Sequence, residues 1–190
     1  MNKSMQILFA SLLSCQVVGD ENISTYPTSW PKIQVHMSDK GCLNVLGKYD
    51  YDGIFFQAPD SDGSTNIHNV FNLSDHSFNA TSIASFSLTE RKNKFYIDID
   101  VGQNEAGLSN SSFPLGSNCK NGWLFYSKII SGAGDGTPSR SVATYKISVA
   151  RDGALVIENE TVRKERVFFF LESSSSRLSW YKFGRIIADR

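Results

Sequence analysis

The sequence predicts a single all-β domain, an antiparallel barrel or sandwich of roughly eight to nine strands. From Leu43 onward, short runs rich in Phe, Tyr, Ile and Val alternate apolar and polar residues with period two, the mark of half-buried strands. Polar turns, Asp152-Gly153 the clearest, separate these runs, and no helical stripe of useful length interrupts them. A chain of 190 residues, 41% hydrophobic and 12% aromatic, is enough for one core and excludes disordered, collagen-like and coiled-coil classes. Nineteen basic residues balance 19 acidic ones with no basic block, so nothing draws this chain to nucleic acid.

The first segment is expected to lie outside the fold. Residues 1–14 carry Lys3, then an apolar run from Ile7 to Leu13, the layout of a secretory signal. That run is far shorter than the ~20 residues a membrane-spanning helix needs. Leu12-Leu13-Ser14-Cys15 resembles the bacterial lipobox, which implies acylation of Cys15, cleavage just before it and a membrane anchor. Gln16 after Cys15 then implies the outer membrane by the sorting rule of enteric bacteria. A competing cut after Gly19, behind Val17-Val18, would release a soluble secreted chain starting at Asp20. Residues 15–40 are polar, contain Pro27 and Pro31 and read as a flexible tether, leaving 41–190 as the β-domain.

Within that domain the expected strands are Leu43–Tyr51, Gly53–Gln57, Ser82–Thr89, Phe95–Val101, Trp123–Ile130, Ala143–Val149, Leu155–Ile157, Val167–Glu172 and Leu178–Arg185. Glu90 to Asn93 forms a polar turn. Asp152-Gly153 predicts a two-residue hairpin turn with positive φ at both positions. Phe168-Phe169-Phe170-Leu171 is apolar on both faces and predicts a covered strand, followed by a hairpin loop at Ser173–Ser176. Ala58–Ala80 and Gly102–Asn121 read as long irregular stretches, a length that points to function.

Cysteine usage fits export. With Cys15 set aside, Cys42 and Cys119 remain, and they are expected to form a disulfide worth roughly 2–5 kcal/mol. No CxxC spacing suggests zinc or redox chemistry. The chain also lacks HExxH, GxSxG, a Walker loop and a Rossmann glycine motif, so no cofactor is expected. Gly132-Ala133-Gly134-Asp135-Gly136 lies between strands and reads as a hairpin loop. His36, His68 and His76 fall in polar surroundings and read as solvated rather than metal-binding. The acidic groups at Asp50/Asp52, Asp60/Asp62 and Asp98/Asp100 lack the ordered calcium-loop pattern. Asp98 and Asp100 share one strand face about 7 Å apart, the geometry an acid pair would need but also that of many inert surfaces. Five Asn-x-Ser/Thr triplets begin at Asn22, Asn72, Asn79, Asn110 and Asn159, which a eukaryotic secretory pathway would read as glycan acceptors.

Aromatic residues carry the remaining signal. Trp123, Tyr126 and Trp180 are the candidate ligand-binding residues, since such side chains fill a β-core or line an apolar pocket. Cys42-Leu43-Asn44-Val45-Leu46-Gly47-Lys48-Tyr49 at the start and Ser179-Trp180-Tyr181-Lys182-Phe183 at the end, with Cys15 upstream, resemble a group of small lipobox lipoproteins of Gram-negative bacteria. Gly47-x-Tyr49 is also similar to the Gly-x-Trp of lipocalins, with Tyr49 in place of Trp. That similarity implies a calycin barrel for hydrophobic ligands. Three functions follow as expectations: a non-enzymatic, outer-membrane lipoprotein binding a small apolar ligand or lipid; a protein-binding envelope lipoprotein such as an immunity protein or inhibitor; and, last, a secreted hydrolase.

Overall fold

A computed structural model describes residues 26–34, 42, 45–57, 61–73, 83–101, 111–134, 137–167 and 171–187. Its elements are β1 (Ile33–Gln34), β2 (Gly47–Gln57), β3 (Ser61–Asn66), α1 (Ile67–Phe71), β4 (Ile83–Arg91), β5 (Lys94–Val101), β6 (Ser111–Gly116), β7 (Asn118–Lys120), β8 (Trp123–Gly134), β9 (Thr137–Ala150), β10 (Leu155–Val167) and β11 (Leu171–Arg185). The fold is all-β as expected, and its strand pairs are antiparallel.

The strands lie in the order β6-β5-β4-β2-β11-β10-β9-β8-β7, with β3 added to β2 and β1 to β9. This is an up-and-down meander in which β2 and the last strand, β11, lie side by side. Its two outermost strands, β6 and β7, are separated in the chain by Ser117 alone. The sheet must therefore curl until its edges come together. No ladder joins β6 to β7 or β8 among the described residues, so the wall is an open roll with one seam.

Strand alternation builds the interior. Leu124, Ile147, Ile157, Tyr181 and Phe55 form one cross-strand row on the inner face. Tyr49, Phe86, Leu88, Phe95, Ile97 and Phe183 fill the same core, which is packed with side chains. Gly53 is required inside β2 because a Cβ there would stand 2.6 Å from the Phe183 ring across the pair. A turn closes one end of the roll: Val45 N–H donates to the Cys42 carbonyl at 3.1 Å, and both residues are buried. The Cys42–Cys119 disulfide pins this turn to β7, with the Cα atoms 5.8 Å apart. The bridge read from cysteine arithmetic is thus present.

The outer face has its own apolar cluster. Trp180, Val156 and Ala150 are covered by Tyr26, Trp30 and Ile33, with Phe56 and Trp123 at the margin. Tyr26 meets Trp180 edge-on at 5.0 Å and Trp30 at 5.9 Å. Its hydroxyl donates to the Pro31 carbonyl at 2.5 Å. Residues 26–34, within the stretch read as a tether, are thus docked on the outside of the roll. Burial of their aromatic rings, invisible to a reading of polarity, holds them there. The rest of residues 15–40, and the signal segment with Cys15, lie outside the described residues.

Several boundaries differ from expectation. The strands expected to end at Tyr51 and to begin at Gly53 are one strand, β2, which starts at Gly47, because Asp52 and Gly53 stay in the ladder with Asn66 and Thr65; Leu43 and Asn44 lie outside the described residues. Ser173–Ser176 is strand rather than loop, paired with Val162–Glu165. Val167 pairs with Leu171 across a hairpin, so Val167–Glu172 is not one strand; Phe168–Phe170 lie outside the described residues. Gly132–Gly134 belong to β8. The two long irregular stretches contain β3 with α1 and β6 with β7. For the strands among these, backbone pairing to a neighbour overrides weak intrinsic strand preference. The Asp152-Gly153 turn spans Arg151–Ala154, and only Gly153 has positive φ; Asp152 Oδ1 accepts from Ala154 N–H at 3.1 Å.

Candidate functional site

Helix α1 comes from the polar stretch after β3. The Asn66 side chain accepts from Asn69 N–H at 2.9 Å, and Asn72, left-handed at φ 48°, ends the helix after five residues. Such a helix has little stability of its own. It is held by Ile67, Val70 and Phe71, all buried in the core of the roll.

Phe71 is the contact that shapes the site. It stacks on Tyr145 of β9 at 4.7 Å, and Tyr126 of β8 stacks on Tyr145 at 5.6 Å and lies 6.0 Å from Phe71, so the three rings form a triangle. Across the seam stands β6, whose Pro114 has no N–H to extend a ladder. Between these walls lies a cavity of about 260 Å³, bounded by Phe71, Leu73, Ile97, Phe113, Leu115 and Tyr126. Asn72, Pro114 and Lys128 complete its lining. Lys128 Nζ donates to the Asn72 carbonyl at 2.9 Å, tying β8 to the end of α1.

The electrostatics of this wall are simple. Burial pushes the Tyr145 hydroxyl up to about 12, against a hydrogen bond with Asn159, with Tyr181 and Tyr126 adding to the rise. Burial likewise raises Tyr126. Both phenols therefore stay neutral at physiological pH and present an uncharged surface. Lys128 is the one charged residue among the lining side chains.

Comparison with family models, curated proteins and solved structures finds no match. The site is accordingly built from the chain's own geometry.

Of the three aromatic candidates, Tyr126 lines the cavity. Trp123 and Trp180 belong to the outer cluster beneath residues 26–34. Sequence reading missed Phe71, Leu73, Phe113, Leu115 and Lys128. The apolar pairs Val70-Phe71 and Pro114-Leu115 inside otherwise polar stretches were the available signal.

The other chemical candidates are accounted for one by one. Asp98 is desolvated, which raises its carboxyl; hydrogen bonds from Ser112 and Thr89 and the nearby Arg91 outweigh this and hold it below the usual range. Thr89 donates to Asp98 at 2.6 Å, and Arg91 pairs with the same oxygen. Asp100 pairs with Lys48 at 2.9 Å and accepts from Ser85 at 3.3 Å. Each carboxylate is thus matched to its own cation or hydroxyl, and they do not converge on a shared space. Asp50 and Asp52 are exposed on β2. His68 sits half-buried on α1, whereas His36, His76 and Asp60 lie outside the described residues. No metal-sized group of His, Cys, Asp or Glu occurs among the described residues. Asn159 is buried and accepts from Thr161 Oγ1 at 2.9 Å, so a glycan there is incompatible with the fold. Asn72 is exposed; Asn22, Asn79 and Asn110 lie outside the described residues.

Proposed function

We propose that this chain is an exported, non-enzymatic β-barrel protein, anchored to the outer membrane through an acylated Cys15, that holds a small apolar ligand at the barrel seam. The observation that carries the reading is the cavity of about 260 Å³ between α1, β6 and β8, walled by aromatic and aliphatic side chains. Its size approaches the lower end of ordinary ligand pockets. The filled interior around Tyr49, Phe86 and Phe183 directs a ligand to the seam rather than to the barrel axis. No helix among the described residues is long and apolar enough to cross a membrane; the proposed anchor is argued from the place of Cys15 directly after the apolar run. The alternative, release as a soluble secreted chain, is separated from anchoring by the intact mass of envelope-extracted protein: acyl mass on a chain starting at Cys15 supports the anchor, and an unmodified start at Asp20 refutes it.

The binding test uses the neutral fluorescent probe N-phenylnaphthylamine. Wild-type protein is expected to enhance its emission, and Leu73→Trp, which fills the cavity, to abolish the enhancement while the circular dichroism stays that of a β-protein. Equal enhancement by both proteins would place the probe elsewhere and overturn the reading.

A second reading, a protein-binding envelope protein, is favoured by one observation on the outer face. Ile129, Val142 and Val162 lie side by side on β8, β9 and β10, with Ile129 56% and Val142 37% exposed. Under that reading, Ile129→Asp removes a partner protein from the envelope complex and leaves probe binding intact.

A further inference from the structure

The inner face of the roll changes character along the strands. Leu124, Ile147 and Ile157 form an apolar row, and Tyr126, Tyr145, Asn159 and Ser179 form the next. Beyond it comes Lys128, Ala143, Thr161 and Arg177, and then Ile130, Ser141, Arg163 and Ser175. On β8, β9, β10 and β11 the charged residues that register places on this face, among the described residues, are Lys128, Arg177, Arg163 and, one row further, Glu165. Glu165 is already paired with Arg163. On these four strands, among the described residues, the rows above the aromatic layer are therefore net cationic.

Lys128 is the cation that reaches the cavity. Its partner is the neutral Asn72 carbonyl at 2.9 Å, and no carboxylate among the described residues pairs with it. An ammonium has three donors, so an incoming anion finds a fixed positive charge with donors to spare. Phe71, Leu73, Phe113 and Leu115 lie beside it and have nothing to offer a charge. Polar and apolar parts of one ligand are thus sorted within a single site.

We infer that the ligand of the seam cavity is a free single-chain amphiphile with an anionic head group, its head on Lys128 and its tail among Phe71, Phe113 and Leu115. This rests on the cavity reading above and adds the charge and the orientation. Arg177, in the same cross-strand row, supplies further positive potential at the mouth.

The test is displacement of N-phenylnaphthylamine by octanoate and by octanol, which share a tail and differ in the head. Octanoate is expected to displace the probe from wild-type protein at a concentration about tenfold lower than octanol, as befits one charge-assisted contact. Lys128→Gln is expected to bring that ratio to about one, and Lys128→Arg to restore most of it. The melting temperature is followed for both variants, so a folding defect is seen as such. Equal displacement by the two compounds, or a ratio that survives Lys128→Gln, overturns the anionic head while leaving the cavity reading standing. Absence of probe enhancement by wild-type protein removes both. Displacement by phosphatidylglycerol vesicles but not by octanoate assigns the site to a membrane lipid and overturns the free amphiphile.

Discussion

Arg185 lies across the ring of Tyr49, its guanidinium carbon 5.9 Å from the ring centroid, while one Nη donates to the Leu46 carbonyl at 2.9 Å. Tyr49 in turn donates its hydroxyl to the Val45 carbonyl at 2.8 Å. The end of β11 is thereby fastened to the turn that leads into β2, at the closed end of the roll. Arg185→Met keeps the length of the side chain and removes both contacts. It is expected to cost about 1–3 kcal/mol, read as a lower urea midpoint with an unchanged slope. A midpoint equal to that of wild type would show the contact to be ornamental.

Alkaline pH attacks the same region. Burial pushes Tyr49, like Tyr145, up to about 12, against the pull of Arg185 on Tyr49. Between tyrosine's ordinary value of 10.0 and about 12, the unfolded chain has released protons that the folded chain retains. Stability is therefore full below 10 and declines as pH rises through this window, by at most about 2–3 kcal/mol per group. Tyrosinate absorbance followed together with circular dichroism should show two phenols titrating only as the sheet is lost. Titration of all seven tyrosines near 10 with the sheet intact would contradict this.

Removing the Cys42–Cys119 bridge by paired Ser substitution opens a loop of 77 residues. The chain-entropy estimate for that length is about 4.5 kcal/mol. The double variant should lose that much in urea melts, and reduction of the wild-type protein should match it.

The outer cluster provides a separate optical report. The chain's three tryptophans, Trp30, Trp123 and Trp180, all belong to it. Tyr26→Ala removes the ring that covers Trp180. Tryptophan emission should move to longer wavelength with little change in circular dichroism, and ligands of the seam should leave that emission nearly unaltered. An emission maximum unchanged by Tyr26→Ala would mean that residues 26–34 do not shield Trp180.

At the β4–β5 hairpin, Lys92 and Asn93 both adopt positive φ, 52° and 61°, and join Arg91 to its partner Lys94. Lysine is poorly suited to that conformation. Lys92→Asn combined with Asn93→Gly supplies the favoured turn pair and is expected to stabilise by about 1 kcal/mol, seen as a higher midpoint in thermal or urea unfolding.

Such turns show what the sequence discloses. Alternation exposed β4 and β5 because one face is apolar and the other wet, and it exposed the shared part of β9 and β10 for the same reason. It stopped short at Ser139–Val142, Glu158–Val167 and Ser173–Ser176, where polar and charged residues on the inner face break the alternation. Asn121-Gly122, with φ values of 52° and 76°, is a strong hairpin signal and closes Lys120 onto Trp123. Read as the tail of an irregular stretch, it concealed β7. The site was harder to see than the fold. Tyr126 was legible as an aromatic on a strand, but Phe71 and Phe113 acquire a role only when a five-residue helix and an edge strand are brought to the seam, and no spacing in the sequence encodes that meeting.

The single-residue link at Ser117 has a consequence for the order in which this chain could be written. Hydrogen-bond ladders run unbroken from β6 round through β2 and β11 to β7, so a cut at Ser117 severs none of them. A circular permutant that starts at Asn118 and ends at Ser117, with the old termini joined by a flexible linker, would retain each strand pair and its disulfide. The sequence would then run from one edge strand to the other, with β11 followed by the linker and the residues that precede β2 before those two strands pair.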